Sequence, residues 1–151
     1  MNRLHQLGYL VLRGWWWVRR PHTAGVRTLL VHDGQVLLVR HTYRKDWHMP
    51  GGGVNQDETL EQAARRECRE EVGAVLGEMS LLGIYTNFWN GRTDHIAVFV
   101  CADFVSDGSH DWEIAEARLF DLDDLPADAS PGTLRRIGDH RAGRRGVFGR
   151  W

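Results

Sequence analysis

Three glutamates are the residues of this sequence with the clearest potential for chemistry. Glu67, Glu70 and Glu71 fall within Glu58–Val72, a run of strong helix formers without Gly or Pro that ends at Gly73. At about 100° per residue, Glu67 and Glu71 continue the apolar stripe of the predicted helix, and Glu70 flanks that stripe. The pattern predicts carboxylates turned towards the interior rather than a solvated acidic face.

Crowded carboxylates that lose hydration must take up protons or share a cation. An all-oxygen donor set suits Mg²⁺ or Mn²⁺, whereas zinc prefers His or Cys ligands. Gly51, Gly52 and Gly53 lie just upstream and allow close approach of the backbone. Their carbonyls can face a metal and nearby amides can face phosphate oxygens, so the residues together indicate a phosphoanhydride site.

The same residues resemble the Nudix box. Gly52 is followed after five residues by Glu58 and, after seven more, by Arg66 and the sequence ECREEVGA, which ends at Ala74. Every glycine, glutamate and arginine of the box is present, while Cys68 and Ala74 stand where the family usually has larger aliphatic side chains. The resemblance implies metal-dependent hydrolysis of a nucleoside diphosphate linked to another group, by attack of water on phosphorus.

The resemblance also assigns roles to individual residues. It implies four metal ligands, which are the Gly51 carbonyl and the carboxylates of Glu67, Glu70 and Glu71. Arg66, which we include in the catalytic set, and Glu58 are expected to orient the glutamates and to close the glycine loop onto the helix.

The general base is less closely defined, because families that share the box take it either from the helix or from a late loop. Asp111, Glu113 and Glu116 lie just before a predicted strand. We expect Glu113 to act as the base, with Glu70 as the alternative.

Residues around the box are candidates for substrate binding, because arginines bind phosphate and aromatic rings stack on bases. The candidates are Arg40, Tyr43, Trp47, Gly52, Gly53, Phe88 and Arg92. The ring of Trp47 can equally well close the core. The downstream Pro typical of ADP-ribose hydrolases of the family and the Tyr of dinucleoside polyphosphate hydrolases are missing, so the substrate class stays a general nucleoside di- or triphosphate derivative.

The predicted elements alternate between strands and helices, which indicates the α/β class. Strands are predicted at Gly25–His32 and Gln35–His41 around an Asp33-Gly34 turn, at Ser80–Phe88 and Asp94–Val105 around Asn90-Gly91, and at Arg118–Leu122; a second helix begins at Ser130-Pro131 and reaches His140. The resemblance sharpens this class to a Nudix-like α/β/α sandwich with a mixed sheet, to which an N-terminal Trp-rich helical segment is added.

The chain divides into three parts. Residues 1–22 form an apolar, Trp-rich segment that we expect to pack on the domain or on a partner, residues 23–140 form the Nudix domain, and residues 141–151 form a basic, solvated tail. An interfacial membrane anchor is the alternative for the first segment, which is too short and too interrupted by Arg13 to span a bilayer.

The balance of 19 Lys and Arg against 20 Asp and Glu gives a net charge of −1, which argues against a stable nucleic-acid partner bound through the overall field. We therefore expect a small nucleotide as the partner and a monomer or homodimer in the cytoplasm, with Cys68 and Cys101 reduced and buried. A nucleotide-binding or regulatory module without turnover is the alternative function, although such a module would usually have lost a glutamate of the box.

Overall fold

The structure is a computed structural model that describes residues 22–151. The elements in chain order are β1 (His22–His32), β2 (Gln35–His41), β3 (Trp47–His48), α1 (Leu60–Val72), β4 (Ala74–Leu76), β5 (Ser80–Trp89), β6 (Arg92–Cys101), β7 (Phe104–Ser106), β8 (Ile114–Asp121), α2 (Pro131–Arg141) and β9 (Val147–Arg150). The expectation for the N-terminal segment concerns residues that lie almost entirely outside this described part.

Seven of the strands form one mixed sheet. Its order is β3-β2-β1-β6-β5-β9. Strands β1 and β3 pair with successive parts of β2, and β8 pairs with β2 along its whole length. The β1–β6 and β5–β9 pairs are parallel and the other pairs are antiparallel. Strands β4 and β7 form a separate two-stranded sheet.

The central strand β1 is buried on both faces, and its side chains alternate between two layers of core. Leu29 and Val31 pack in the cluster that contains Ile137 of α2. Leu30 packs in the cluster that contains Cys68 and Val72 of α1. One helix therefore covers each face of the sheet, which confirms the predicted α/β/α sandwich.

Helix α1 has strong signals at both ends. Thr59 and Gln62 form a reciprocal capping box at its start, and Gly73 ends it in the left-handed conformation with φ 60°. Ala63 and Ala64 are completely buried against the sheet, where small side chains let the helix approach β1 closely. These signals fix both the register of α1 and the direction of its glutamates.

The first hairpin agrees with the sequence prediction. Asp33 and Gly34 have φ values of 48° and 77°, as a two-residue turn of the primed type requires. The second helix likewise begins after Ser130, whose hydroxyl accepts the N–H of Thr133. Both cysteines are buried and free.

The predicted strand Asp94–Val105 is wrong in its extent. Strand β6 stops at Cys101, and the chain then turns at Asp103 into β7. The carbonyl of Asp103 accepts the N–H of Gly77 at 2.7 Å, and a Cβ on Gly77 would lie on the Asp103 carboxylate. This close approach lies where β6 has ended and next to the β4–β7 sheet.

The basic tail forms ordered structure at its end, although most of its residues are exposed to solvent. Val147–Arg150 adds β9 parallel to β5, and the ring of Trp151 packs edge-on against Tyr85. The guanidinium of Arg136 lies 3.7 Å from the centroid of the Tyr85 ring and 5.7 Å from that of Trp151. Apolar and cation–π contacts therefore outweigh the local composition.

Within residues 22–151, none of the helices has the length and apolar character needed to cross a membrane.

Candidate active site

The glycine loop runs beside β1 like a short extra strand. The N–H of Val26 donates to the Gly52 carbonyl at 2.9 Å, and the N–H of Thr28 donates to the Pro50 carbonyl at the same distance. Gly51 lies between them with φ 143°, and a Cβ on it would stand 2.1 Å from the carbonyl oxygen of Val26. Only glycine fits at this position, because the Gly51 backbone lies directly against β1.

The carboxylate of Glu71 is tied to the glycine loop inside the protein. Its Oε2 accepts the N–H of Gly51 at 2.8 Å, and its Oε1 lies 3.0 Å from Nε2 of His41. Both side chains are almost fully buried, with 6% and 7% exposed for His41 and Glu71. The apolar stripe of α1 therefore continues with a buried carboxylate, as predicted. The partners of that carboxylate are His41 and the N–H of Gly51.

Arg66 joins α1 to the glycine loop. Its guanidinium makes a bidentate ion pair with Glu58 at 2.7 and 2.9 Å, donates to Glu67 at 2.7 Å and to the Gly53 carbonyl at 2.9 Å. The hydrogen bonds from Arg66 lower the pKa of Glu58 to about 2, with a smaller contribution from the N–H of Asn55. The same ion pair raises the pKa of Arg66.

Glu67 lies under the glycine loop, and Glu70 lies at its margin. A Cβ on Gly52 would stand 2.7 Å from the Glu67 carboxylate, so the missing side chain makes room for that group. Burial raises the pKa of Glu67, Arg66 opposes this shift, and the charges of Glu71 and Glu70 raise it further. Glu70 is half exposed and receives a hydrogen bond from Arg66 at 3.2 Å.

Arg27 holds the other side of the loop. Its Nη1 donates to the carbonyls of Met49 and Gly51, at 3.0 and 2.6 Å. Burial lowers the pKa of Arg27, and the neighbouring charges of Glu71 and Glu67 oppose that shift. The Gly51 carbonyl thus has one hydrogen bond and keeps a second lone pair for another partner.

Sequence reasoning missed Arg27 and the pairing of His41 with Glu71. The signal for Arg27 is a charged residue within the apolar strand GVRTLLVH. His41 ends the apolar run QVLLVRH, and nothing in its spacing indicates which carboxylate it would meet.

A late loop brings Glu113 towards the same end of α1. The N–H of Asp111 donates to the carbonyl of Glu70 at 3.0 Å, and the carbonyl of Glu113 accepts the N–H of Thr42 at 2.8 Å. Burial raises the pKa of Tyr43, and the charge of Glu113 acts in the same direction, so the two side chains are neighbours. Glu116 instead lies 3.9 Å from Arg40 on the β2–β8 pair.

Two of the predicted substrate residues are engaged in packing. Trp47 is only 2% exposed and lies edge-on against Phe120 at 4.8 Å between ring centroids. Arg40 lies over the Trp47 ring and pairs with Asp128 at 3.1 Å. The burial favours the core alternative for Trp47.

Three of the remaining candidates, Gly52, Gly53 and Arg92, line a groove on the surface. A cavity of about 590 Å³, the loop cavity, opens over Gly52 and Gly53. A cavity of about 510 Å³, the far cavity, lies between the β5–β6 hairpin and the start of α2, and both cavities include Arg27 and Arg92 in their walls. Phe88 is exposed and lies under the guanidinium of Arg150, and Tyr43 is exposed beside His41.

The carboxylates of Glu67, Glu70 and Glu71 are suitable ligands for a divalent cation, because they are oxygen donors and lie close together on one helix. Three carboxylates lie within five residues of one helix, and the pKa of Glu67 shows that burial and the other two carboxylates disfavour its charge. Arg66 donates hydrogen bonds to Glu67 and Glu70. Within residues 22–151, no three His, Cys, Asp or Glu side chains converge on a point where a metal ion could bind. Binding of an ion at the glutamates would require Glu67 and Glu70 to turn from Arg66.

Comparison with known proteins gives a consistent picture. The NUDIX domain profile matches residues 20–138 of the chain. A crystal structure described as a MutT NUDIX hydrolase from Burkholderia pseudomallei superposes with a TM-score of 0.72 and 26% identity, over 79% of this chain and 98% of that one.

Two curated relatives match part of the chain. An RNA pyrophosphohydrolase of Xanthomonas campestris pv. campestris (strain B100) is 46% identical over 64 residues, which are 42% of this chain and 30% of that protein. An ADP-ribose pyrophosphatase of Methanocaldococcus jannaschii is 30% identical over 103 residues, which are 65% of this chain and 61% of that protein. The match thus spans less than two thirds of either relative.

The space around the glycine loop gives a matched pair of variants. A methyl group in Gly51→Ala meets the backbone of β1, whereas in Gly53→Ala it meets nothing within 4 Å. We expect Gly51→Ala to lower the free energy of unfolding by about 2 kcal/mol or more, and Gly53→Ala by less than about 1 kcal/mol. Urea unfolding followed by circular dichroism measures both, and equal losses would contradict the close approach of loop and strand.

The Glu58–Arg66 pair predicts an acid-dependent part of the stability. A carboxyl whose pKa is lowered on folding stabilises the protein above its ordinary pKa, and this stabilisation disappears as the pH falls from about 4.5 to about 2. Glu58→Gln is expected to flatten the dependence of the unfolding free energy on pH in that window.

Glu61→Gln is the control for that measurement, because Glu61 forms an exposed ion pair with Arg65 on the same helix. A Glu58→Gln curve that runs parallel to the wild-type curve between pH 2 and 4.5 would rule out the stabilising role of the pair.

Proposed function

The chain belongs to the NUDIX domain family, and we propose that it is a divalent-metal-dependent pyrophosphohydrolase of nucleoside di- or triphosphate derivatives. The observation that carries the proposal is the buried Glu71 carboxylate, held by the N–H of Gly51 beside two further glutamates of the same helix. Burial of acidic groups without enough partners costs free energy, and a cation at the glutamates would offset that cost.

The proposed ligands of Mg²⁺ or Mn²⁺ are the Gly51 carbonyl, Glu67, Glu70 and Glu71. When bound, the cation supplies positive charge that neutralises phosphate oxygens near the scissile bond. His41 and the N–H of Gly51 fix the Glu71 carboxylate, and Glu67, which pairs with Arg66, would turn towards the same place to bind the cation. Arg27 holds the Gly51 carbonyl in its position.

Hydrolysis requires a base for the attacking water, and we assign this role to Glu113, with Glu70 as the alternative. Water forms a new P–O bond, the bridging P–O bond breaks, and the leaving phosphate takes the bonding electron pair while the carboxylate accepts a proton from water. Glu113 is half-buried beside Tyr43 at the end of β2, whereas Glu116 is exposed near Arg40.

The substrate panel follows from the relatives and from the groove. ADP-ribose and RNA belong in it because of the names of two curated relatives, and nucleoside triphosphates and nucleotide sugars represent the general class. Binding without turnover across this panel, with Mg²⁺ or Mn²⁺ present, would favour the regulatory module instead.

Glu71→Gln tests the metal assignment. The amide cannot replace a carboxylate as a hard anionic ligand, so we expect kcat/KM to fall by about 100-fold or more and Mn²⁺ binding to weaken. Steady-state kinetics and Mn²⁺ titration followed by electron paramagnetic resonance measure the two effects. EDTA should abolish turnover of the wild type, and added Mg²⁺ or Mn²⁺ should restore it.

Glu61→Gln serves as the control for this experiment, because it makes the same change on the exposed face of the same helix. Turnover and Mn²⁺ affinity of Glu71→Gln within about threefold of Glu61→Gln would refute the assignment.

The general base is tested by comparing Glu113→Gln with Glu116→Gln. A general base contributes roughly 10²- to 10⁴-fold, so kcat of Glu113→Gln is expected to fall by that factor and to lose its acidic limb in a pH–rate profile. Glu116→Gln should stay within about threefold of the wild type. If Glu70→Gln alone removes the acidic limb, Glu70 is the base and the assignment of Glu113 is wrong.

A further inference from the structure

The far cavity continues the groove away from the glutamates. It shares Arg27, Arg92, Asp94 and Ile96 with the loop cavity, so the two spaces form one path from the glycine loop to α2. Gly52 lines the loop cavity, and its missing side chain leaves room for the Glu67 carboxylate. A substrate with its scissile bond at the glutamates would therefore have room to extend into the far cavity.

Positive charge dominates the walls of the far cavity. The basic side chains that line it are those of Arg27, Arg44, Arg92 and Arg135. The two acidic side chains in the same walls already have partners within the protein. Asp46 lies 3.0 Å from Nε2 of His48, and Asp94 accepts the hydroxyl of Thr23.

The arginines also act on one another and on their neighbours. Burial lowers the pKa of Arg27, and the charge of Arg44 adds to that shift. Burial lowers the pKa of His48 as well; Asp46 opposes that shift, and the charges of Arg27 and Arg44 reinforce it. Like charges that repel across a cavity are relieved when an anion binds between them.

The chemistry of these walls distinguishes between classes of ligand. A guanidinium donates only, and its planar fork matches phosphate oxygens. A neutral sugar gains no charge-assisted hydrogen bond from a guanidinium, so four arginines favour an anionic group over a sugar. Trp89 and Trp151 border the same space and add apolar walls around the charged floor.

We propose that the far cavity is a subsite for an anionic phosphoryl or polyphosphate group on the far side of the scissile bond, and that Arg44 and Arg135 determine this specificity. The inference rests on the proposed function, because it takes the glutamates as the place of bond cleavage. Arg44 lies in the loop between β2 and β3, Arg135 lies in α2, and both side chains are exposed.

Binding to the metal-free protein tests the subsite without turnover. The full chain in EDTA is titrated with inorganic tripolyphosphate by isothermal titration calorimetry, for the wild type, Arg44→Glu and Arg135→Glu. Each variant removes a charge-assisted contact and adds a repulsive charge, so the dissociation constant is expected to rise by about tenfold or more. Arg145→Glu makes the same change in charge at an exposed arginine that is not part of the cavity wall.

Three results would overturn the subsite in this experiment. These are no binding to the wild type, an equal loss in Arg145→Glu, or unchanged binding in both cavity variants.

Paired substrates test the position of the subsite during turnover. For the nucleoside that the panel prefers, the triphosphate carries a phosphate beyond the scissile region, and the corresponding diphosphate glucose carries a neutral sugar. In Arg135→Glu, KM for the triphosphate is expected to rise by about tenfold or more at nearly constant kcat, and KM for the nucleotide sugar to change by less than about threefold. Equal losses for both substrates would mean that Arg135 binds their shared part, which would overturn the inference.

Failure of the two proposals can be separated. If the wild type turns over neither substrate with Mg²⁺ or Mn²⁺, the proposed function fails while the calorimetric result still decides the subsite. If Glu71→Gln abolishes turnover and the arginine variants change neither binding nor KM, the function stands and the subsite is refuted.

Discussion

The guanidinium of Arg66 is the interaction on which the site depends. It binds Glu58 with two hydrogen bonds, reaches Glu67 and holds the carbonyl of Gly53. A lysine would supply one compact charge in place of the planar fork, and it could not span these partners at once. One side chain therefore joins the residues before α1, the helix itself and the glycine loop. It also opposes the rise in the pKa of Glu67 that burial causes.

The position of Arg66 in turn depends on how α1 meets the sheet. Ala63 and Ala64 allow the helix to lie close to β1, and the glycine loop fills the free edge of the same strand. Larger side chains would lift the helix away, and the N–H of Gly51 would then no longer reach Glu71. The small residues of α1 and the glycines of the loop thus serve the same purpose, which is to bring two backbones and a row of carboxylates within hydrogen-bond distance.

Local signals in the sequence predict most of the elements and the chemical character of the site. The capping residue Thr59, the stop at Gly73 and the turn at Asp33-Gly34 act over a few residues, so their outcome is visible in the sequence. The apolar stripe of α1 likewise predicts which glutamates face inwards.

Contacts between distant segments cannot be predicted in this way. The pairing of His41 with Glu71 and the strand formed by Val147–Arg150 depend on partners 30 and more residues away, and no local pattern encodes them. The role of Trp47 also could not be predicted from the sequence, because a tryptophan near an arginine can belong either to the core or to a binding surface. Its burial decides between the two roles.

The groove is electrically asymmetric, and this asymmetry constrains how any phosphorylated ligand can lie in it. At one end, carboxylates repel phosphate unless a cation lies between them; at the other end, arginines attract it directly. Arg27 stands at the boundary, with its guanidinium on the Gly51 carbonyl and its pKa influenced both by Glu71 and by Arg44. If the glutamates hold a cation as we propose, a polyphosphate without that cation would bind at the arginines alone. Its phosphates could bridge both ends only once the charge at the glutamates had been reversed, so the order of charges along the groove would link the presence of a cation to the alignment of the scissile bond.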